Sequence, residues 1–357
     1  MNAAGATGRL LVGLAVVALV GGCASGTSPT QVPATLAPAS LPPNAVAAPT
    51  PTVTASQAPA PTPSVVTTGD LAYEAADTKP APALLDVYAP AKPGRWPVVV
   101  MFHGFQGSKS DQVAYARRVA ELGFVVFAPT WNSSMPTIRG DNQAPIAQAA
   151  CAVAFARTHA AEYGGDPSTM IVFGHSAGAH PASLIAFARP EPTKGCPGGA
   201  TLGPVNALVT WEGNWLLSAT EPSVMDWDGL LAAEPGIMNA VTPWAYLPRH
   251  KELRVVVLVS DHPGSFFERA AGDPWAADSW LAVRDPSGDL RRQLEANGAF
   301  ADGKLDFVDV QQLLFSVLRA QGNPVSLDVM PDSAHDHLGA AGWPVFLAAF
   351  PKAAQRH

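Results

Sequence analysis

The chain is poor in charge, cysteine and aromatic residues. Only 14% of its 357 residues are Asp, Glu, Lys or Arg, and the net charge is −7, from 22 basic and 29 acidic side chains. No cluster of Lys or Arg interrupts that sparse charge, so the electrostatic footprint of a nucleic-acid-binding surface is missing and no nucleic-acid partner is expected. Three cysteines are too few for a disulfide-stapled scaffold, and neither they nor the nine histidines fall at zinc-binding spacing. No phosphate-cradling glycine loop and no dinucleotide fingerprint occur. No metal and no cofactor are therefore expected. The apolar run Leu10 to Val20 is as long as the hydrophobic part of a signal peptide and too short to span a bilayer. No internal repeat is found.

What is present is unevenly distributed. Residues 24–69 are rich in Ala, Pro, Thr and Ser, carry no charge, and show no apolar periodicity. Such a stretch buries too little to fold and reads as an extended, partly polyproline tether. From residue 70 the texture changes. Leu84 to Tyr88 alternates like an early strand, and Val98 to Phe102 is a continuous apolar run of the kind buried on both faces of a sheet. The helical pattern Asp111–Leu122 precedes the strand 124–127. A long helix, Asn142 to Tyr163, ends at Gly164-Gly165. Strands follow at 170–173, 207–211, 254–260 and 325–330, with the last helix over Phe307–Gln321. Alternating helices and apolar strands specify a mostly parallel, doubly wound α/β sheet with helices on both faces. The expected division is 1–23, 24–69 and a folded domain 70–357.

The segment Gly174-His175-Ser176-Ala177-Gly178 lies between the apolar run Met170–Phe173 and an Ala-rich helical stretch. In a strand-turn-helix setting, G-x-S-x-G projects the serine Oγ clear of the sheet as a nucleophile elbow. His103-Gly104-Phe105 follows the strand 98–102. His335 and His337 follow the last strand, and His335 is the favoured base. With these motifs in this order, residues 80–350 resemble the α/β-hydrolase fold serine esterases and lipases, nearer in their H-G-F segment to dienelactone-hydrolase-like and polyester-hydrolase-like enzymes than to those with H-G-G-G. The resemblance implies a carboxylic-ester hydrolase with cap-like insertions. Ser176 would be its nucleophile, His335 its base, and the backbone amides of Phe105 and Ala177 its oxyanion hole; His103 is read as a loop brace. Three residues compete for the triad acid. Asp261, directly after its strand, ranks first, Asp306 before the last helix second, and Glu212 after the strand 207–211 third. Acyltransferase or peptidase chemistry on the same fold, and a non-catalytic envelope-binding lipoprotein, are the rival readings.

Two further expectations concern the cysteines. Leu19-Val20-Gly21-Gly22-Cys23 resembles the lipobox of bacterial lipoproteins, which implies cleavage before Cys23, lipid attachment there, and a membrane-anchored, extracytoplasmic protein. Export to an oxidising compartment makes a Cys151–Cys196 disulfide a candidate, against two separate buried thiols. The connections 212–250 and 262–306 are long, as lids and binding loops are. They hold Trp215, Trp227, Trp244, Trp275 and Trp280, with Trp211 at the end of its strand; an aromatic-lined acyl pocket is the functional reading, and lid or core packing the alternative.

Overall fold

A computed structural model describes residues 64–74, 83–133, 144–192, 196, 201–213, 243–262, 288–298 and 307–355. All lie within the unit Pro59–His357. The expected signal segment with Cys23, Asp306, and Trp215, Trp227, Trp275 and Trp280 lie outside the described residues, as does the side chain of Trp244.

Eight strands form one sheet: β1 (Val65–Ala72), β2 (Leu84–Pro90), β3 (Trp96–Phe102), β4 (Val125–Pro129), β5 (Gly165–His175), β6 (Ala207–Trp211), β7 (Arg254–His262) and β8 (Val325–Ala334). Their spatial order is β1-β2-β4-β3-β5-β6-β7-β8. The β1–β2 and β2–β4 pairs are antiparallel, and every other pair is parallel. The doubly wound parallel sheet expected from the sequence is thus present, with an antiparallel edge. β1 begins at Val65, inside the stretch expected to be tether. Val65-Val66-Thr67-Thr68 is β-branched and suits an edge strand, so the folded part starts earlier than residue 70.

Successive residues of each central strand feed two separate cores. Val98, Val100, Phe102, Met170 and Val172 pack on one face with residues of α2 (Ala144–His159), α3 (Ala179–Phe187) and α5 (Phe307–Gln321). Val99, Met101, Ile171, Phe173 and Trp211 pack on the other with α1 (Val113–Glu121) and α6 (Gly342–Ala354). A short helix, α4 (Asp289–Ala296), precedes α5. The helix α6 was not read from the sequence, which placed the last helix at Phe307–Gln321. Its two prolines disguise it. Pro344 stands in the first turn, where no intrahelical N–H is needed, and Pro351 in the last. Its apolar face still supplies Phe346 and Phe350 to the core, against Phe173 at ring distances of 5.6 and 5.8 Å.

Cys151 on α2 is joined to Cys196, with Cα atoms 5.5 Å apart. The disulfide reading of these two cysteines is the one the structure carries.

Candidate active site

The sheet order reverses direction around β3, which has β4 on one side and β5 on the other. In open α/β sheets such a switch point opens a crevice beyond the carboxyl ends of the strands. Here those ends carry His103-Gly104-Phe105 and His175-Ser176. A Cβ built on Gly104 would lie 3.5 Å from the Cβ of Ser176, so the two segments are in contact.

The elbow needs its glycines. Ser176 adopts φ 51°, a left-handed conformation that costs a non-glycine residue on the order of 1–3 kcal/mol. The turn is so tight that a Cβ on Gly174 would lie 2.3 Å from the carbonyl oxygen of Gly178. A Cβ on Gly178 would lie 2.4 Å from the carbonyl oxygen of His103. Ser176 to Gly178 form a single 3-10 turn that runs into α3. The first N–H groups of such a helix have no intrahelical acceptor, and that of Ala177 is among them.

His335 lies just past β8, and both nitrogens of its ring are engaged. Nε2 is 2.9 Å from Ser176 Oγ, and Nδ1 is 2.6 Å from Glu212 Oε2. A carboxylate only accepts, so Nδ1 carries the proton and Nε2 is left bare to take one from the serine. His337 takes a different role. Its side chain is exposed, and its backbone closes the turn by exchanging hydrogen bonds with Ala334 at 2.8 and 3.1 Å.

The carboxylate at His335 is Glu212, which the sequence ranked third, and not Asp261. Register explains both positions. His175 pairs with Trp211 across β5 and β6, so the next residues, Ser176 and Glu212, emerge side by side at the strand ends. Like Ser176, Glu212 is left-handed, with φ 47°. Its side chain is fully buried, and Oε1 accepts the Ser260 amide at 2.6 Å. Burial pushes its carboxyl up, but hydrogen bonds from His335 and Ser260 outweigh this and hold it below the usual carboxylate range. Gln311 of α5 donates to the carbonyl of the following residue, Gly213, at 2.7 Å.

Asp261 was expected in a loop after a strand ending at Ser260. β7 instead continues to His262 and β8 to Ala334, which draws Asp261 into the strand pair. There its two oxygens accept the amides of Asp332 and Ser333 at 2.8 and 2.9 Å. The Ser333 amide foremost, then the His262 side chain 2.9 Å away and the Asp332 amide, hold its carboxyl down to about 2. Asp261 therefore staples the strand that leads to His335 and does not meet its imidazole.

His103 is a brace, as expected. It is buried, its Nδ1 donates to the Gly104 carbonyl at 2.8 Å, and its Nε2 accepts the Trp131 amide at 3.2 Å. Burial lowers its pKa, consistent with a neutral ring. The Gly104 carbonyl also accepts the Gly107 amide at 3.2 Å. In a trans peptide the C=O and the next N–H point in opposite directions. The Phe105 amide therefore points away from these partners. The Phe105 side chain is 47% exposed beside the crevice.

Trp211 does not line an open pocket. It is buried, its ring 4.3 Å from that of His175, and its Nε1 donates to Ser260 Oγ at 3.1 Å. Neither His175 nor Ser260 was singled out as a site residue in the sequence; a histidine inside the elbow motif and a serine at a strand end give no pattern of their own. Among the described residues, His175, His335 and Asp336 form a group whose potential metal-ligating atoms lie within 4.8 Å of one another. Both ring nitrogens of His335 are already committed to Ser176 and Glu212, which suits His335 to proton transfer.

Fold and site together define a protein of the α/β-hydrolase fold. Residues 85–207 match the family model BD-FAE. Esterase LipQ of Mycobacterium tuberculosis is 32% identical over 118 residues, a match covering 30% of this chain and 27% of that protein; the chain thus spans about a quarter of the curated relative it matches. Among solved structures, the propionate-bound thermophilic esterase of Thermogutta terrifontis superposes with a TM-score of 0.54 at 19% identity, covering 82% of this chain and 93% of the other. A truncated carbohydrate esterase from gut microbiota gives 0.56 at 16% identity, covering 84% and 100%.

Proposed function

We propose that this protein hydrolyses carboxylic esters with a Ser176–His335–Glu212 triad. The observation that carries the proposal is the continuous chain of hydrogen bonds, 2.9 and 2.6 Å, from serine through imidazole to a buried carboxylate. Ser176 Oγ attacks the acyl carbon while its proton passes to His335 Nε2. Glu212 keeps the imidazole in the required tautomer and stabilises its cation. The negative oxygen of the tetrahedral intermediate would be held by the amide of Ala177, which has no intrahelical acceptor, and by that of Phe105, which points away from the partners of the Gly104 carbonyl. Collapse breaks the bond to the alcohol, which leaves with the proton from His335. Water, deprotonated by the same nitrogen, then attacks the acyl-enzyme; the bond from the acyl carbon to Ser176 Oγ breaks, His335 returns the proton to that oxygen, and the acid departs.

The substrate class is supported by likeness. The curated relative and the two structural neighbours are named as esterases, and a further structure is that of Thermogutta terrifontis esterase 2 phosphoramylated by tabun. A p-nitrophenyl ester series from acetate upward tests the reading. Hydrolysis that vanishes in Ser176→Ala supports it. If wild-type protein turns over no ester, or in alcohol-water mixtures mainly exchanges the alcohol, ester hydrolysis is not its activity.

The protein is further proposed to be held by lipid on the outer side of a bacterial membrane. The apolar run Leu10–Val20 followed by Gly21-Gly22-Cys23 supports this, as does the Cys151–Cys196 disulfide, a bond of oxidising compartments. Among the described residues no helix is long and apolar enough to cross a membrane. Metabolic labelling with radioactive palmitate should mark the wild-type chain and not Cys23→Ser; label that persists in Cys23→Ser refutes the anchor.

A further inference from the structure

The backbone of His335 is gripped on both sides by side chains from other strands, the buried Ser260 of β7 and the partly buried His175 of β5. On the amino side, Ser260 Oγ lies 3.1 Å from the Ala334 carbonyl. The same oxygen accepts the Trp211 indole N–H, and its hydroxyl can donate to that carbonyl. On the carboxyl side, His175 Nε2 lies 2.6 Å from the carbonyl oxygen of His335 itself. A carbonyl cannot donate, so Nε2 of His175 carries the proton and Nδ1 is bare. The His175 ring is packed 4.3 Å from the ring of Trp211 and 5.0 Å from that of His335.

These two bonds anchor the two peptide planes that flank the His335 Cα. Rotation about its N–Cα bond moves the plane bearing the Ala334 carbonyl, and rotation about Cα–C moves the plane bearing its own carbonyl. With both planes held, the direction of the His335 Cα–Cβ bond is fixed, and the bonds to Glu212 and Ser176 have only the two side-chain torsions left to set. The donor for the second plane comes from the residue next to Ser176 in sequence. The same elbow therefore presents Ser176 and holds the backbone of His335.

We propose that His175 is a positioning residue for the reaction: its Nε2–H, bonded to the His335 carbonyl, aligns the imidazole with Ser176 while touching neither the ester nor the reacting atoms. The inference rests on the ester-hydrolase reading, and its test separates the two. Misplacement of a catalytic group by about 1 Å costs on the order of 100-fold in rate. Three variants with wild-type folding by circular dichroism decide the point. His175→Leu keeps bulk but loses the donor, His175→Ala loses both, and His175→Gln offers an amide N–H at nearly the reach of Nε2. We expect kcat on p-nitrophenyl acetate to fall about 30- to 100-fold in the Leu and Ala variants with KM within about threefold, and Gln to recover most of the loss. The downfield resonance of the His335 Nδ1 proton should broaden in Leu and Ala and reappear in Gln. Wild-type kcat and an unchanged resonance in His175→Leu would overturn the proposal, as would equal losses in Leu and Gln, which would reduce His175 to packing. Were wild-type protein to show no Ser176-dependent turnover, the hydrolase reading would fail, and an intact downfield signal in His175→Leu would separately remove the positioning role.

Discussion

Ser176 and Glu212 follow directly on a paired position, His175 with Trp211, across adjacent parallel strands. Both are left-handed, with φ 51° and 47°. Two strained turns at neighbouring strand ends thus present the hydroxyl and the carboxylate to one imidazole.

Glu212→Gln should lower kcat by about 10³- to 10⁴-fold, because an amide in place of the carboxylate loses hold of the Nδ1–H tautomer. Asp261→Asn should cost less than about tenfold, since an amide oxygen still accepts one of the two backbone N–H bonds at residues 332 and 333. Steady-state kinetics on the two variants check this ordering.

Stability should fall as pH is lowered from about 6.5 to 4. Burial, aided by the neighbouring His335, pushes the His175 imidazole down to about 4. Between its unfolded value of about 6.5 and its folded one, the unfolded chain binds more protons, so acidification favours unfolding, by on the order of 1–3 kcal/mol. The carboxylates act in a lower window. Asp261 and Glu212 are both depressed, so their contributions are present above the ordinary carboxylate range and are lost as pH falls through their folded values, about 2 for Asp261. Thermal melts against pH should show His175→Gln with a flatter slope between pH 6.5 and 4 and an unchanged one below.

The Cys151–Cys196 bond closes a loop with a sequence separation of 45. On loop-closure entropy its loss costs about 4 kcal/mol. Denatured, unreduced protein should yield no maleimide adduct at either cysteine, and the Cys151→Ser, Cys196→Ser double variant should unfold at correspondingly lower denaturant.

Gly178→Ala should disrupt the elbow and not merely slow it. The added methyl meets two backbone oxygens, those of His103 and Phe102, at 2.4 and 2.5 Å. Backbone cannot move aside as a side chain can, and a cost of about 3 kcal/mol is expected. Urea unfolding of the variant measures it.

The sheet was legible because buried parallel strands are near-continuous apolar runs, and Val98–Phe102, Met170–Phe173 and Arg254–Ser260 are of that kind. The elbow was legible because its glycines are demanded by backbone clashes. The edge strand β1 merges with the low-complexity stretch before it, and α6 is masked by its prolines. The acid was misranked for a physical reason. Chain order leaves Asp261 and Glu212 equally plausible, and the choice depends on where β7 and β8 stop, which the polar residues Asp332 and Ser333 do not announce. His175 was legible only as the variable position of a motif, since its partner is a backbone carbonyl 160 residues away.

Activation of Ser176 by Glu212 through His335 is the proposed step most open to direct measurement. Intact-mass spectrometry during reaction with a fluorophosphonate tests it directly. A single adduct on Ser176 should form in wild type and in Asp261→Asn at similar rates, form at least 100-fold more slowly in Glu212→Gln, and be absent in Ser176→Ala. An adduct that forms as fast in Glu212→Gln as in wild type, or slows only in Asp261→Asn, would contradict it.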